Sequence, residues 1–204
     1  MRRELADDPE AGAYAAEIEL GPGWGEITRE ARDLLAPGRA VVLDTETIDL
    51  YGRTVEIAVI DAATGKKLMD TLVNPGDREI SDGARWVHGI TDEMVASARP
   101  FEKVLPRLRK VIKGKIICSC NVAFDRAVVL GDVQRAGKRP MHLEPEDSWY
   151  CLMEAYKDWL GAFRWLRLGG RHRALGDCES ARKVLIRMSE GRGSVFTPAP
   201  PRPG

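Results

Sequence analysis

Long apolar runs are absent from this 204-residue chain, and so is any excess of charge. No stretch approaches the roughly 20 apolar residues that a bilayer-spanning helix needs, so no membrane partner is expected. Lys plus Arg and Asp plus Glu number 31 each, a formal net charge of zero. Bulk charge therefore offers no argument for a polyanionic partner, and any such argument must rest on local clusters. Cysteine is sparse, at four residues. Cys118 and Cys120 stand one residue apart while Cys151 and Cys178 are remote, which indicates neither a disulfide framework nor a zinc finger. The opening MRRELADDPEAGAYAAEIEL has two arginines but no apolar core, so it does not read as an export signal. A cytoplasmic protein with reduced thiols is expected. What is present is an ordinary globular composition, 44% hydrophobic and 30% charged, and enough length for one domain with a sizeable core.

Residues 1–38 read as an N-terminal arm with a short helix at about 25–35, where Ile27, Ala31, Leu34 and Leu35 share a face and Pro37-Gly38 stops it. The main domain is expected at 39–190. It opens on Ala40-Val41-Val42-Leu43, a short continuous apolar run suited to a buried strand. Two more strands are predicted at 54–61 and 67–73, joined by an Ala62-Ala63-Thr64-Gly65 turn. Thr91 reads as the cap of a short helix. An amphipathic helix is predicted at 101–113, kinked or delayed by Pro106. A strand follows at 115–119, then a helix at 123–136 closed by Gly137. Helices at 149–160, with Ser148 as cap, and at 176–189 complete the set. The Gly/Pro-rich residues 191–204 read as a disordered tail. This order predicts an α/β fold, a mixed central sheet flanked by helices. Ligands on such sheets bind at strand ends, which directs attention to the residues after Leu43 and Ser119.

Asp44 and Glu46 stand two apart at the first of those ends. A strand's side-chain period of two sends both carboxylates to one face. Beside a buried strand they repel each other and resist desolvation, and a divalent cation relieves both costs. Ligands that are all oxygen suit Mg²⁺ or Mn²⁺ rather than zinc. Taken alone, Asp-x-Glu also fits a solvated turn. Asp125 opens the helix after the second buried strand, where the helix dipole favours an acid in any case. Asn121 near it fits a turn, and Phe124 a core residue. Asp177 is more telling: with Ala181, Val184, Leu185 and Met188 it falls on the apolar face of the last helix, as a cap or as a ligand aimed at the sheet. His172 lies five residues earlier, about 140° away on a continuous helix. It can share a site with Asp177 only from a loop before the helix, which Gly169 and Gly170 favour. Read alone, it is a surface histidine beside arginines.

Taken in order, Asp44-Thr-Glu-Thr47, Asn121-Val-Ala-Phe-Asp125 and His172-Arg-Ala-Leu-Gly-Asp177 resemble the three motifs of the DEDDh, or DnaQ-like, 3′–5′ exonucleases. That family includes the proofreading subunit of bacterial DNA polymerase, ribonuclease T and oligoribonuclease. Trp86-Val-His-Gly-Ile-Thr91 and Val73-Asn-Pro75 also resemble family segments, and the likeness covers about residues 39–189. It implies a ribonuclease-H-like fold and a two-metal mechanism with Mg²⁺ or Mn²⁺. Asp44, Glu46 and Asp177 would hold one cation, and Asp44 would bridge to a second held by Asp125, partly through water. His172 would be the general base, work that a histidine's ordinary pKa of ~6.5 suits. The implied substrate is the 3′ end of single-stranded DNA or RNA. Thr47, Leu50 and His88, with Asn121 and Phe124, occupy positions on its substrate side; His88 fits a structural turn residue equally well. Two other readings stay open: a non-catalytic nucleic-acid-binding relative, and a two-metal phosphoesterase acting on short oligonucleotides or free nucleotides.

Substrate grip must come from local basic residues. Lys103, Arg107, Arg109, Lys110, Lys113 and Lys115 form one group, which also reads as the solvated face of its helix. Arg164, Arg167, Arg171 and Arg173, interleaved with Phe163 and Trp165, form another beside His172, a composition suited to single strands. The chain departs from the family at Ile48-Asp49, where Thr-Gly is common, and at Cys120, a place often held by His or another polar or aromatic residue. Only 166–171 separate Trp165 from His172, where members carry a helix, so either a more open pocket or a His172 held too loosely for catalysis is expected.

Overall fold

Three antiparallel strands lie where the apolar runs predict them: β1 (Ala40–Thr47), β2 (Thr54–Asp61) and β3 (Lys67–Asn74). The structure is a computed structural model that describes residues 24–50, 52–161 and 172–191. The arm up to residue 23, the basic and aromatic residues at 163–171 and the tail beyond 191 lie outside the described residues. The β2–β3 turn closes through Gly65, which takes φ 74° and donates to the Asp61 carbonyl at 2.8 Å. Parallel strands β4 (Arg99–Pro100), β5 (Ile116–Ser119) and β6 (Trp149–Cys151) extend the sheet to the order β4-β3-β2-β1-β5-β6.

Helices cover both faces. They are α1 (Trp24–Leu34), α2 (Asp82–His88), α3 (Asp92–Ala96), α4 (Phe101–Ile112), α5 (Val122–Arg135), α6 (Leu152–Leu160) and α7 (Ala174–Glu190). Strand alternation sorts the core into two layers. Val41, Leu43, Ile57 and Val59 pack against Leu105, Leu108, Val129 and Val133 of α4 and α5. Val42, Ala58 and Ile60 pack against α1, α6 and α7 through Ala31, Leu34, Trp159, Ala181 and Leu185. Each fully buried Leu, Ile or Val contributes roughly 1.5–3 kcal/mol of transfer free energy, so these layers dominate the stability. The helix expected within the N-terminal arm thus has its apolar face in the core. A third cluster of Ile48, Val55, Ile80, Ile90 and Val95 seats α2 and α3. The result is the mixed six-stranded sheet flanked by helices that the element order predicts.

β1 runs on past Leu43, with Asp44 to Thr47 paired with β2, as the alternation of Asp44 and Glu46 requires. Two expectations need correction. Residues 149–151 are an edge strand rather than the start of a helix: Ile117 pairs with Trp149, whose indole Nε1 donates to the Leu143 carbonyl at 3.0 Å. A buried tryptophan in register with β5 outweighs the helical reading, so α6 starts at Leu152 and Ser148 is not its cap. α4 begins at Phe101 with no delay and carries Pro106 inside it, on its exposed side. Residues 82–88, to which the sequence reading assigned no element, are helical, capped by the Ser81 hydroxyl and ended by Gly89 at φ 70°.

Candidate active site

β1 outruns its parallel neighbour. β5 pairs only with Ala40, Val41 and Val42, whereas β1 continues to Thr47. Beyond Val42 its edge on that side meets no strand among the described residues, and the polar residues of the site gather there. Asp44 and Glu46 continue the face of Val42, towards α7, as the strand period predicts. In the first turn of α7 stands Asp177. Ligand oxygens of Asp44, Glu46 and Asp177 all lie within 4.8 Å of one another, and the three side chains are half-buried.

Asp125 approaches β1 from the opposite layer. Its side chain, 3% exposed, accepts from the Thr45 N–H at 3.1 Å and the Thr45 hydroxyl at 2.7 Å, and the Ser119 hydroxyl donates to its other oxygen. It therefore substitutes for the missing strand at the open edge of β1. A carboxylate offers about four lone-pair sites, and these bonds take three. The structure thus brings three acids to one point and anchors the fourth beside them.

Burial sets the electrostatics. It pushes Asp44 well above the usual carboxylate range, with repulsion from Asp125, Glu46, Asp177 and Glu56 adding to it. Glu46 rises to about 8, again through burial first, then through Asp177, Glu56 and Asp125, with Arg173 opposing. Asp125 rises to about 6 by burial, restrained by the hydrogen bonds from Ser119 and Thr45. Such a cluster holds protons it would not hold in water, and a bound cation displaces them by supplying the missing positive charge. The donor set is all oxygen and convergent, which fits a hard divalent cation.

A buried glutamate absent from the sequence reasoning completes the site. Glu56, 3% exposed, pairs directly opposite Glu46 in the β1–β2 ladder. It accepts from Arg173 Nε at 3.0 Å, from Arg173 Nη2 at 2.5 Å and from the Ala174 N–H at 2.9 Å. Arg173, read from sequence as part of a substrate-gripping cluster, is thus committed to an internal ion pair. The sequence signal was there: a lone Glu in the run Thr-Val-Glu-Ile-Ala-Val-Ile demands a partner if the strand is buried. His172 lies outside the helix, just before α7, exposed and with left-handed backbone at φ 49°.

Beside Glu46 opens a cleft of about 790 Å³, a size suited to a small ligand. Thr47, Leu50, His88 and Phe124 line it with Glu46 and Val87. Leu50 is 75% exposed at its mouth. The Thr47 hydroxyl donates to the Asp49 carbonyl at 2.5 Å. His88 Nδ1 accepts from the Ile90 N–H at 3.0 Å, which leaves Nε2 protonated to donate to the Thr47 carbonyl at 3.1 Å. Both ring nitrogens are therefore used internally, and burial lowers the ring's pKa. Asn121 does not line the cleft; it caps α5, its side-chain oxygen accepting from the Phe124 N–H at 3.4 Å. The basic residues Lys103, Arg107 and Lys110 lie on the solvent face of α4, away from its buried stripe.

Comparison with known proteins was made on sequence and on fold. The family described as Exonuclease matches residues 41–185. Over 164 residues the chain is 31% identical to DNA polymerase III PolC-type of Caldanaerobacter subterraneus subsp. tengcongensis, covering 75% of this chain but only 12% of that protein. Over 169 residues it is 31% identical to Exodeoxyribonuclease 10 of Escherichia coli (strain K12), covering 74% of this chain and 69% of the relative. The solved structure of Exonuclease X in complex with 5′ overhanging duplex DNA superposes with a TM-score of 0.57 at 29% identity, over 76% of this chain and 94% of that one.

Proposed function

Because this chain belongs to the DnaQ-like exonuclease family, we propose that it removes nucleoside monophosphates one at a time from the 3′ end of single-stranded nucleic acid, with Mg²⁺ or Mn²⁺ as cofactor. One observation carries the reading: Asp44, Glu46 and Asp177 converge to within 4.8 Å at the edge of an open cleft of about 790 Å³. The domain responsible is residues 39–190. A DNA strand is the favoured substrate, since Exodeoxyribonuclease 10 is a DNA exonuclease by name and the Exonuclease X structure holds DNA.

In this reading Asp44, Glu46 and Asp177 would hold one cation, and Asp44 and Asp125 would serve a second. Cations held by these residues would lower the pKa of a bound water and neutralise charge on the phosphodiester and its leaving oxygen. The protein's own groups do the rest. His172 accepts the proton of the attacking water. Leu50, Val87 and Phe124 offer apolar walls to the terminal nucleotide, while Glu46 and Thr47 mark its reactive end. Asp125, bonded to Thr45 and Ser119, keeps its orientation at the end of β1.

A strand labelled at the 3′ end and the same strand labelled at the 5′ end test this directly. With Mn²⁺ or Mg²⁺, the 3′ label is released first as a mononucleotide, and chelation stops the release. His172→Ala lowers kcat by roughly 10²- to 10⁴-fold, the usual contribution of a general base. Equal inactivity of wild type and His172→Ala on both DNA and RNA would sink the enzyme reading. Cleavage confined to dinucleotides would replace it with a phosphoesterase for short substrates.

A further inference from the structure

Glu56 is an unlikely tenant of its position on electrostatic grounds. It sits on β2 between apolar, fully buried neighbours, directly opposite Glu46. Its charge raises both Asp44 and Glu46. An apolar side chain of similar size would avoid that repulsion. What the carboxylate does provide is a fork on one short stretch of chain: two bonds from the Arg173 guanidinium and one from the Ala174 N–H. These join β2 to the start of α7, across 117 and 118 residues of sequence.

Immediately before the forked residue stands His172, with φ 49°. That left-handed conformation is costly for a residue with a Cβ, and it persists only where the surroundings hold it. Arg173 itself is extended, at φ −138° and ψ 130°, and its backbone carbonyl accepts the Asp177 N–H at 3.0 Å. The residue after His172 is thus held by its side chain on β2 and by its carbonyl in the first turn of α7.

We propose that the Glu56–Arg173 pair is the positioning device of this site: it holds His172 in its left-handed conformation and so aims the imidazole at the carboxylate cluster. The inference rests on His172 as general base. Arg173 is a positioning residue, acting through its neighbour, and the planar two-point fork is something lysine cannot reproduce.

The test uses the full chain and four variants: His172→Ala, Arg173→Lys, Glu56→Gln and the double variant His172→Ala/Arg173→Lys. Rates on a 3′-labelled single strand and Mn²⁺ binding by calorimetry are measured for each. Arg173→Lys and Glu56→Gln are expected to lower kcat by about 10- to 100-fold, the scale of misplacing a reacting group by about 1 Å. KM stays near wild type in both, the Mn²⁺ Kd stays near wild type in Arg173→Lys, which keeps the local charge, and Arg173→Lys adds nothing to the loss already caused by His172→Ala. Independent, multiplying losses in the double variant, or a raised KM at unchanged kcat, overturn the proposal in favour of Arg173 gripping substrate. Loss of Mn²⁺ binding in step with kcat in Arg173→Lys overturns it too, making the fork a prop for the acids. Glu56→Gln, the same shape as the native side chain, answers the question if Arg173→Lys does not fold. A wild-type rate in His172→Ala removes the general-base reading itself, and the proposal with it, whereas an impaired His172→Ala with independent losses removes the proposal alone.

Discussion

Asp44 and Glu46 lie two residues apart on β1, with Glu56 opposite Glu46, and the folded protein holds protons there that the unfolded chain releases. Glu46 moves from an ordinary 4.5 to about 8 because of burial and of Asp177, Glu56 and Asp125. A pKa raised by folding contributes stability that is complete below the unfolded value and is lost as pH rises through the folded one. Metal-free protein should therefore show a falling Tm between about pH 5 and pH 9, as far as this cluster governs it. Saturating Mn²⁺ should raise Tm most at the alkaline end, and calorimetry in buffers of different ionisation enthalpy should detect protons released on Mn²⁺ binding at pH 7. A Tm in metal-free protein that climbs steadily to pH 9 would contradict this account. Asp44→Asn should raise the metal-free Tm above pH 8 while abolishing Mn²⁺ binding, since it removes both the repulsion and a ligand.

One helix supplies two acids to two strand ends. Asp125 and Asp132 are seven residues apart on α5, two turns, so they share a face. Asp125 receives the N–H and hydroxyl of Thr45, and Asp132 receives the N–H and hydroxyl of Thr54, at 3.0 and 2.6 Å. The bonding is alike, yet only Asp125 stands beside Asp44 and Asp177. Asp132→Ala strands a buried strand-end N–H and hydroxyl, at a cost of about 1–3 kcal/mol. Urea unfolding should register that loss while the exonuclease rate at a permissive temperature stays near wild type. A rate that collapses with Asp132→Ala would mean that α5 transmits strain to Asp125. The paired use of these acids was not legible in the sequence, because a first-turn acid on a helix already has an adequate explanation in the dipole. The edge strand at Trp149–Cys151 escaped for a different reason: three residues are too few to show a period.

Across the whole molecule, the site depends on two layers meeting at the end of β1. α7 brings Asp177 and the Arg173 fork, and it is held down by Ala174, Cys178, Ala181, Leu185 and Met188. Small residues let it approach closely: the Cys178 thiol reaches the Val42 and Ala58 carbonyls at 3.5 Å. α1 packs on the same layer, and the Trp159 indole of α6 donates to Thr28 of α1 at 3.1 Å. Leu185→Ala, at a fully buried position in that layer, should cost about 2–5 kcal/mol in denaturant unfolding. A single transition is expected, because α1, α6 and α7 share one core. Two resolved transitions would instead show that α1 unfolds apart from the sheet.

The chain alone determined which residues have the chemistry. A period of two placed Asp44 and Glu46 on one face, and that placement stands in the structure. Apolar runs located β2 and β3 closely, and the order of the three motifs identified the family. Tertiary structure decided how those residues are held. Asp125 on Thr45 spans 80 residues, and Glu56 on Ala174 spans 118. No local period encodes a contact of that length; it exists only because β1 runs past β5 and leaves its edge and its acids for α5 and α7 to meet.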